Sequence, residues 1–184
     1  SRFAFGRMEG KSLTASPARK TPDCAAYPRC GGCTGRHMTY ETTLEAKRQQ
    51  VQDCFRRIGH IDIDVPSVLG MADPSHYRNK TALPVGGTVE EPVAGFFAPR
   101  SHDIIPIAQC PNAMPPADEI CRRVLGWMRR FHVEPYVEET HTGLVRHIVV
   151  RINRKGEAMA VLVINGGEIP HEGELVASFK AAGG

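Results

Sequence analysis

Cys24, Cys30 and Cys33 are separated by five and then two residues, with Gly31-Gly32 between the last pair, so the chain can wrap closely around an ion. A thiolate site of that kind needs a fourth soft donor. Cys110 is the best candidate, because Pro111 follows it directly and because it falls in a loop between a strand and a helix. Disulfides are a poor account of six cysteines in a chain without a secretory signal. A redox pair at Cys30 and Cys33 would need a preceding strand and a following helix, and would leave Cys24 without a role. Spacing alone does not choose between zinc and an iron–sulfur cluster, since four thiolates suit either. It does differ from the three-then-two spacing of radical enzymes that use S-adenosylmethionine.

Cys54 and Cys121 lie within helical patterns beside apolar stripes and no base motif adjoins them, so both are expected to be buried core residues rather than nucleophiles. Arg78 and Lys80, with His76, are expected on one face of a strand where they could meet phosphates, while Tyr77 and Thr81 pack inward. Arg100-Ser101-His102 occupies a turn, and Arg146-His147 interrupts an apolar strand. Phe96 and Phe97 are adjacent, so one must point away from the core and could stack on a base.

The elements that carry these residues are legible from periodicity. Tyr40, Leu44, Val51, Phe55 and Ile58 recur at helical spacing, and Gly59 closes that helix. Strand patterns follow from His76, at Val93 to Ala98 and at Asp103 to Ile107. Pro116 opens a helix with Ile120, Val124, Trp127, Met128 and Phe131 as its buried stripe. Leu144 to Ile152 and Ala158 to Ile164 form a hairpin around Asn153-Arg154-Lys155-Gly156, and a short helix runs from about Gly173 to Ala181. The expected class is α+β: a mainly antiparallel sheet with helices on one face, plus a small cysteine-rich loop.

At 184 residues the chain suffices for one domain with a core, or a domain and an appendage; its 41% hydrophobic and 23% charged residues are those of a soluble globular protein. It lacks the run of about 18 to 20 apolar residues of a membrane helix, and a signal peptide, so a cytoplasmic location is expected. The net charge of +3 conceals a gradient: residues 1–60 hold 11 Lys/Arg against 5 Asp/Glu, and the remainder 12 against 15. A basic segment around the cysteines favours a polyanionic partner.

Taken in order, Cys24-x5-Cys30-Gly31-Gly32-Cys33 with His37, Tyr40, Leu44, Lys47, Val51 and Arg57-Ile58-Gly59, then Tyr77-Arg78-Asn79-Lys80, then the run from Gly95 to Ile104, Cys110, His141 to His147 and Met159 to Asn165, resembles the RNA uracil-5-methyltransferase family. It departs at Thr34-Gly35-Arg36 and Pro111-Asn112-Ala113 without removing a ligand. The resemblance implies a [4Fe-4S] cluster on Cys24, Cys30, Cys33 and Cys110, with zinc as runner-up, in a central domain that helps grip RNA, ribosomal rather than transfer RNA. It favours Arg78, Lys80 and Arg100 for RNA contact. It also implies that residues 1–23 are the last strand and linker of an RNA-binding β-barrel, residues 24–60 the cluster loop and helix, and residues 61–184 the central α+β domain. The Rossmann-like domain that supplies the nucleophile, the base and S-adenosylmethionine is expected beyond Gly184, since no glycine-rich cofactor turn occurs here. The start without methionine and the end soon after an amphipathic stretch read as an excised piece. The 184 residues alone are thus expected to be a monomer that contributes RNA binding and no catalytic residue. The rivals are a zinc-stabilised RNA-binding module without activity and, more remotely, an iron–sulfur electron carrier.

Overall fold

The computed structural model describes residues 18–180. The strand expected at Phe3-Ala4-Phe5-Gly6 lies outside them. The described chain divides into two compact units, one made of residues up to 21 with 37–68, the other of residues 22–36 with 69 onward. The cysteine loop falls in the unit that holds the sheet, and the helix after it falls in the other.

The smaller unit is built on α1 (Tyr40–Arg57), whose N-cap Thr39 accepts a hydrogen bond from the Thr42 N–H. The one buried side chain of that helix is Gln52, which donates to the Ile63 carbonyl at 2.5 Å and accepts from the Val65 N–H at 2.8 Å. This polar clasp holds an extended tail against the helix. The stripe expected to be buried behaves differently: Val51, Phe55 and Ile58 are exposed, and so is Cys54. The tail docks on the Gln52 face, and among the described residues Val51, Phe55 and Ile58 stay open to solvent on the apolar one.

The larger unit contains a five-stranded antiparallel sheet of order β3-β2-β1-β4-β5, formed by β1 (Lys80–Gly87), β2 (Pro92–Phe97), β3 (Ile104–Pro106), β4 (Val145–Ile152) and β5 (Ala158–Ile164). β1 pairs with β4 through Lys80 to Pro84 and with β2 through Val85 to Gly87. Pro84, which has no N–H to give, stands where the strand changes partners. Helices α2 (Pro115–Arg130) and α3 (Glu172–Lys180) pack together, and α2 covers the sheet. Val124, Trp127 and Met128 of α2 meet Leu83, Val85, Ile148 and Val150 in the core, with Leu175 of α3. The expected α+β class and the stripe of α2 are therefore observed, and Cys121 is buried at 4% exposure. Gly156 takes a φ of +84° in the β4–β5 turn, where Asn153 accepts from the N–H groups of Lys155 and Glu157. Among the described residues no helix is long and apolar enough to cross a membrane.

The strand expected from His76 begins only at Lys80. His76 has a φ of +51°, Tyr77 is 52% exposed rather than packed inward, and Arg78 makes an isolated bridge to Ala113. The alternation read there belongs to Thr81, Leu83 and Val85 alone. Arg146, which interrupts the β4 pattern, sits at a bulge between Val145 and His147 and lays its guanidinium over the Tyr136 ring at 4.5 Å.

Candidate thiolate site

Residues 24–36 fold back on themselves before they meet the sheet. Tyr27 N–H bonds to the Cys24 carbonyl at 3.1 Å and Cys30 N–H to the Ala26 carbonyl at 2.9 Å, which closes two successive turns between Cys24 and Cys30. Gly31 N–H then donates to the Phe97 carbonyl at 2.9 Å, fastening the loop to the end of β2. A Cβ on Gly31 would stand 2.6 Å from that same oxygen, so the first of the two glycines is needed for contact with the sheet.

The fourth cysteine arrives from the other side. The Cys110 N–H donates to Asp118 in the first turn of α2 at 3.2 Å, and the Cys110 carbonyl accepts from Ala113 at 3.0 Å. Residues 76–78 run beside 111–114, with His76 N–H on the Pro111 carbonyl, Arg78 N–H on the Asn112 carbonyl and Met114 N–H on the Arg78 carbonyl. Cys24, Cys30, Cys33 and Cys110 all line one concavity, with Tyr27, Arg36, Arg78, Phe96 and Asn112 among its walls. All four are free thiols.

The surroundings of the sulfurs are polarised. Gly32 N–H points to Cys30 Sγ at 3.3 Å, and the Asn112 side-chain amide donates to Cys33 Sγ at 3.1 Å. Burial and the neighbouring Cys110 push the Cys33 thiol above its usual range, against the pull of Arg36 and Arg78. Bound metal cations would neutralise most of the charge that four bare thiolates would bring into that site, and the two guanidiniums suit the negative charge left over. The donor set fits an iron–sulfur group. Among the described residues no three His, Cys, Asp or Glu side chains are drawn together closely enough to hold a metal ion. Cys121 does not line this concavity, and burial raises its thiol to about 11.

The residues expected to meet RNA are dispersed. Arg78 is half-buried in the concavity wall, donating to the Gly32 carbonyl at 3.2 Å and lying over Phe96 at 5.3 Å, so it does not stand in a row with Lys80. Lys80 is exposed at the start of β1, and Arg100 is exposed in the β2–β3 turn with a φ of +63°. Phe96 faces the concavity and the core, whereas Phe97 stacks on His102 at 5.0 Å. Sequence reasoning missed Asp23, Arg36 and Asn112. Their signal was an arginine and an amide within three residues of candidate ligands, which is legible only once the two segments are known to meet.

No protein-family model matches the chain. It is 43% identical over 175 residues to a protein of Clostridium tetani called an uncharacterized RNA methyltransferase, covering 95% of this chain and 38% of that one. A protein of the same description from Halalkalibacterium halodurans is 39% identical over 182 residues, covering 98% of this chain and 40% of that one. The chain thus spans about two fifths of the length of the curated relatives it matches. Among solved structures, the tRNA (uracil-54, C5)-methyltransferase of Pyrococcus abyssi, in complex with S-adenosyl-L-homocysteine, shares the fold. It has a TM-score of 0.67 at 23% identity, over 90% of this chain and 37% of that one.

Proposed function

Because the chain belongs to the same family as these RNA methyltransferases, we propose that it is a [4Fe-4S]-binding, RNA-gripping part of an S-adenosylmethionine-dependent RNA uracil-C5 methyltransferase, acting on ribosomal RNA in the cytoplasm. One observation carries the cluster reading: four free cysteines from two distant segments line one concavity beside two arginines. A zinc ion held by the same four thiolates at about 2.3 Å is the rival reading, and metal content separates the two.

In this reading Cys24, Cys30, Cys33 and Cys110 hold the group, whose contribution is to tie the loop to the sheet. Gly31 seats the loop on β2, Asp118 fixes the Cys110 backbone, and Arg78 braces the Gly32 carbonyl against Phe96. RNA contact is assigned to Lys80, Arg100 and the Phe97 side of the sheet, since Arg78 is already engaged. Methyl transfer requires a nucleophile for C6 of uracil, a base for the C5 proton and bound S-adenosylmethionine. Cys121 is buried with its thiol held protonated, and Cys54 has no neighbouring base motif, so these steps are assigned to the part of the family's length that this chain does not span.

Anaerobic purification with metal analysis and a visible spectrum tests the cluster. Iron with matching acid-labile sulfide and broad visible absorbance are expected; stoichiometric zinc without iron would overturn the reading. Labelled S-adenosylmethionine and uridine-containing RNA test the division of labour. The 184-residue chain is expected to bind RNA and transfer no label, and transfer would show that the chemistry resides within it.

A further inference from the structure

Asn112 is 6% exposed and uses both ends of its amide. Its Nδ2 donates to Cys33 Sγ at 3.1 Å, and its Oδ1 accepts from Arg36 Nη1 at 2.6 Å. Arg36 is anchored in turn: Nη2 donates to one oxygen of Asp23 at 3.1 Å, and Nε lies 2.6 Å from the other. The orientation of the amide follows from the chemistry of its neighbours. A guanidinium offers only donors, so the carbonyl end must face Arg36, and the NH₂ end is left to face the sulfur. The Asn112 backbone is held independently, by the Arg78 N–H on its carbonyl at 2.8 Å. A carboxylate, a guanidinium and an amide therefore form a chain that ends on one particular thiolate.

We infer that Asp23, Arg36 and Asn112 form a positioning relay that raises the reduction potential of a cluster bound through Cys33. The inference rests on the cluster reading given above. A hydrogen bond donated to a thiolate stabilises the state with more electron density on sulfur, which is the reduced one, and hydrogen bonds to the sulfurs are a recognised control on such potentials. Arg36 strengthens the donor by polarising the amide, and Asp23 keeps Arg36 in place. The other sulfur contact, from Gly32 N–H to Cys30, is longer and comes from the backbone, so Asn112 is the side chain through which substitution can reach the group. In the reduction itself one electron enters from the titrant, and no bond is made or broken.

The test compares anaerobically purified wild-type protein with Asn112→Leu and Asn112→Asp, each titrated with dithionite and mediator dyes. Removing the donor with Leu shifts the reduction equilibrium about tenfold toward the oxidised form, a fall of about 59 mV for one electron. Asp, which places an oxygen against the sulfur, shifts it further. Resonance Raman spectra in light and heavy water read the hydrogen bond directly: the deuterium-sensitive part of the Fe–S(Cys) stretching band shrinks in Asn112→Leu. If either variant fails to fold, Arg36→Met, which frees the amide to rotate, must lower the potential and the deuterium shift. An iron-loaded variant with unchanged potential and unchanged deuterium shift overturns the relay. Wild-type protein that binds no iron instead overturns the cluster reading beneath it.

Discussion

Replacing Gly31 by alanine isolates the contact that joins the cysteine loop to the sheet. Gly31 is not among the glycines with positive φ, so an alanine can adopt its backbone, and relief of chain entropy alone would stabilise the fold by roughly 0.4–1 kcal/mol. The steric effect opposes this. The new Cβ would lie 2.6 Å from the Phe97 carbonyl oxygen, and ordinary contact begins at 3.4 Å, so the loop must retreat by about 0.8 Å. The 2.9 Å bond from Gly31 N–H to that oxygen then stretches beyond the roughly 3.2 Å at which such bonds end. Losing it and leaving its carbonyl short of a partner costs about 2–3 kcal/mol, for a net loss of about 1–2.6 kcal/mol. Cys30, 7% exposed, reports the opening. Under anaerobic, metal-free conditions its alkylation, followed by mass spectrometry, should accelerate by about 5- to 80-fold. Gly32→Ala is the control, since its Cβ meets the Cys30 and Phe96 side chains at 3.3 and 3.4 Å, and these can adjust. Equal labelling in Gly31→Ala and wild type, or a larger effect in Gly32→Ala, would refute the steric reasoning.

Other outcomes follow from single sites. Thr81 is buried in β1 and its hydroxyl has no hydrogen-bond partner among the described residues, so Thr81→Val should raise stability by about 1 kcal/mol in urea denaturation. Glu119 accepts from Arg123 at 2.6 Å and from Arg122, and its carboxyl is held below the usual range chiefly by the Arg123 bond. Its contribution is therefore present above the ordinary glutamate range and lost as pH falls through the lowered folded value; Glu119→Gln should flatten the acid limb of the stability curve. Lys80→Ala with Arg100→Ala should weaken RNA binding and reduce its salt slope in a fluorescence titration, whereas Arg78→Ala should chiefly disturb the thiolate site. An unchanged slope in the double variant would remove that face from the RNA surface.

Much of the sheet could be read directly because its strands obey a simple rule. β4 and β5 are β-branched runs around an Asn…Gly turn, and α2 carries an apolar stripe that packs where periodicity puts it. The failures share one cause, which is that period-based reasoning assigns a buried face without knowing what will cover it. On α1 the apolar residues recur at helical spacing, yet Gln52 wins the partner and Val51, Phe55 and Ile58 remain exposed. At 76–78 the alternation continued through residues that pair with 111–114 instead of joining β1. The cysteine quartet was visible as a set of residue types, and the fold draws all four into one concavity. The Asp23–Arg36–Asn112 connection was hidden, since its members are ordinary polar residues until residues 33 and 112 are placed side by side.

The separation of the cysteines along the chain also imposes an order of events. Three thiols emerge together in a short loop, but Cys110 reaches them only after the chain has passed through β1, β2 and β3, and the loop's own seat is the Phe97 carbonyl at the end of β2. A group delivered before those strands pair would find three ligands and an open side. One delivered afterwards closes a long loop whose entropy the sheet has already absorbed. On the proposed cluster reading, maturation of the site would therefore inspect the sheet: a chain whose β1–β2 pairing had slipped would offer an incomplete set of donors and could not retain the group.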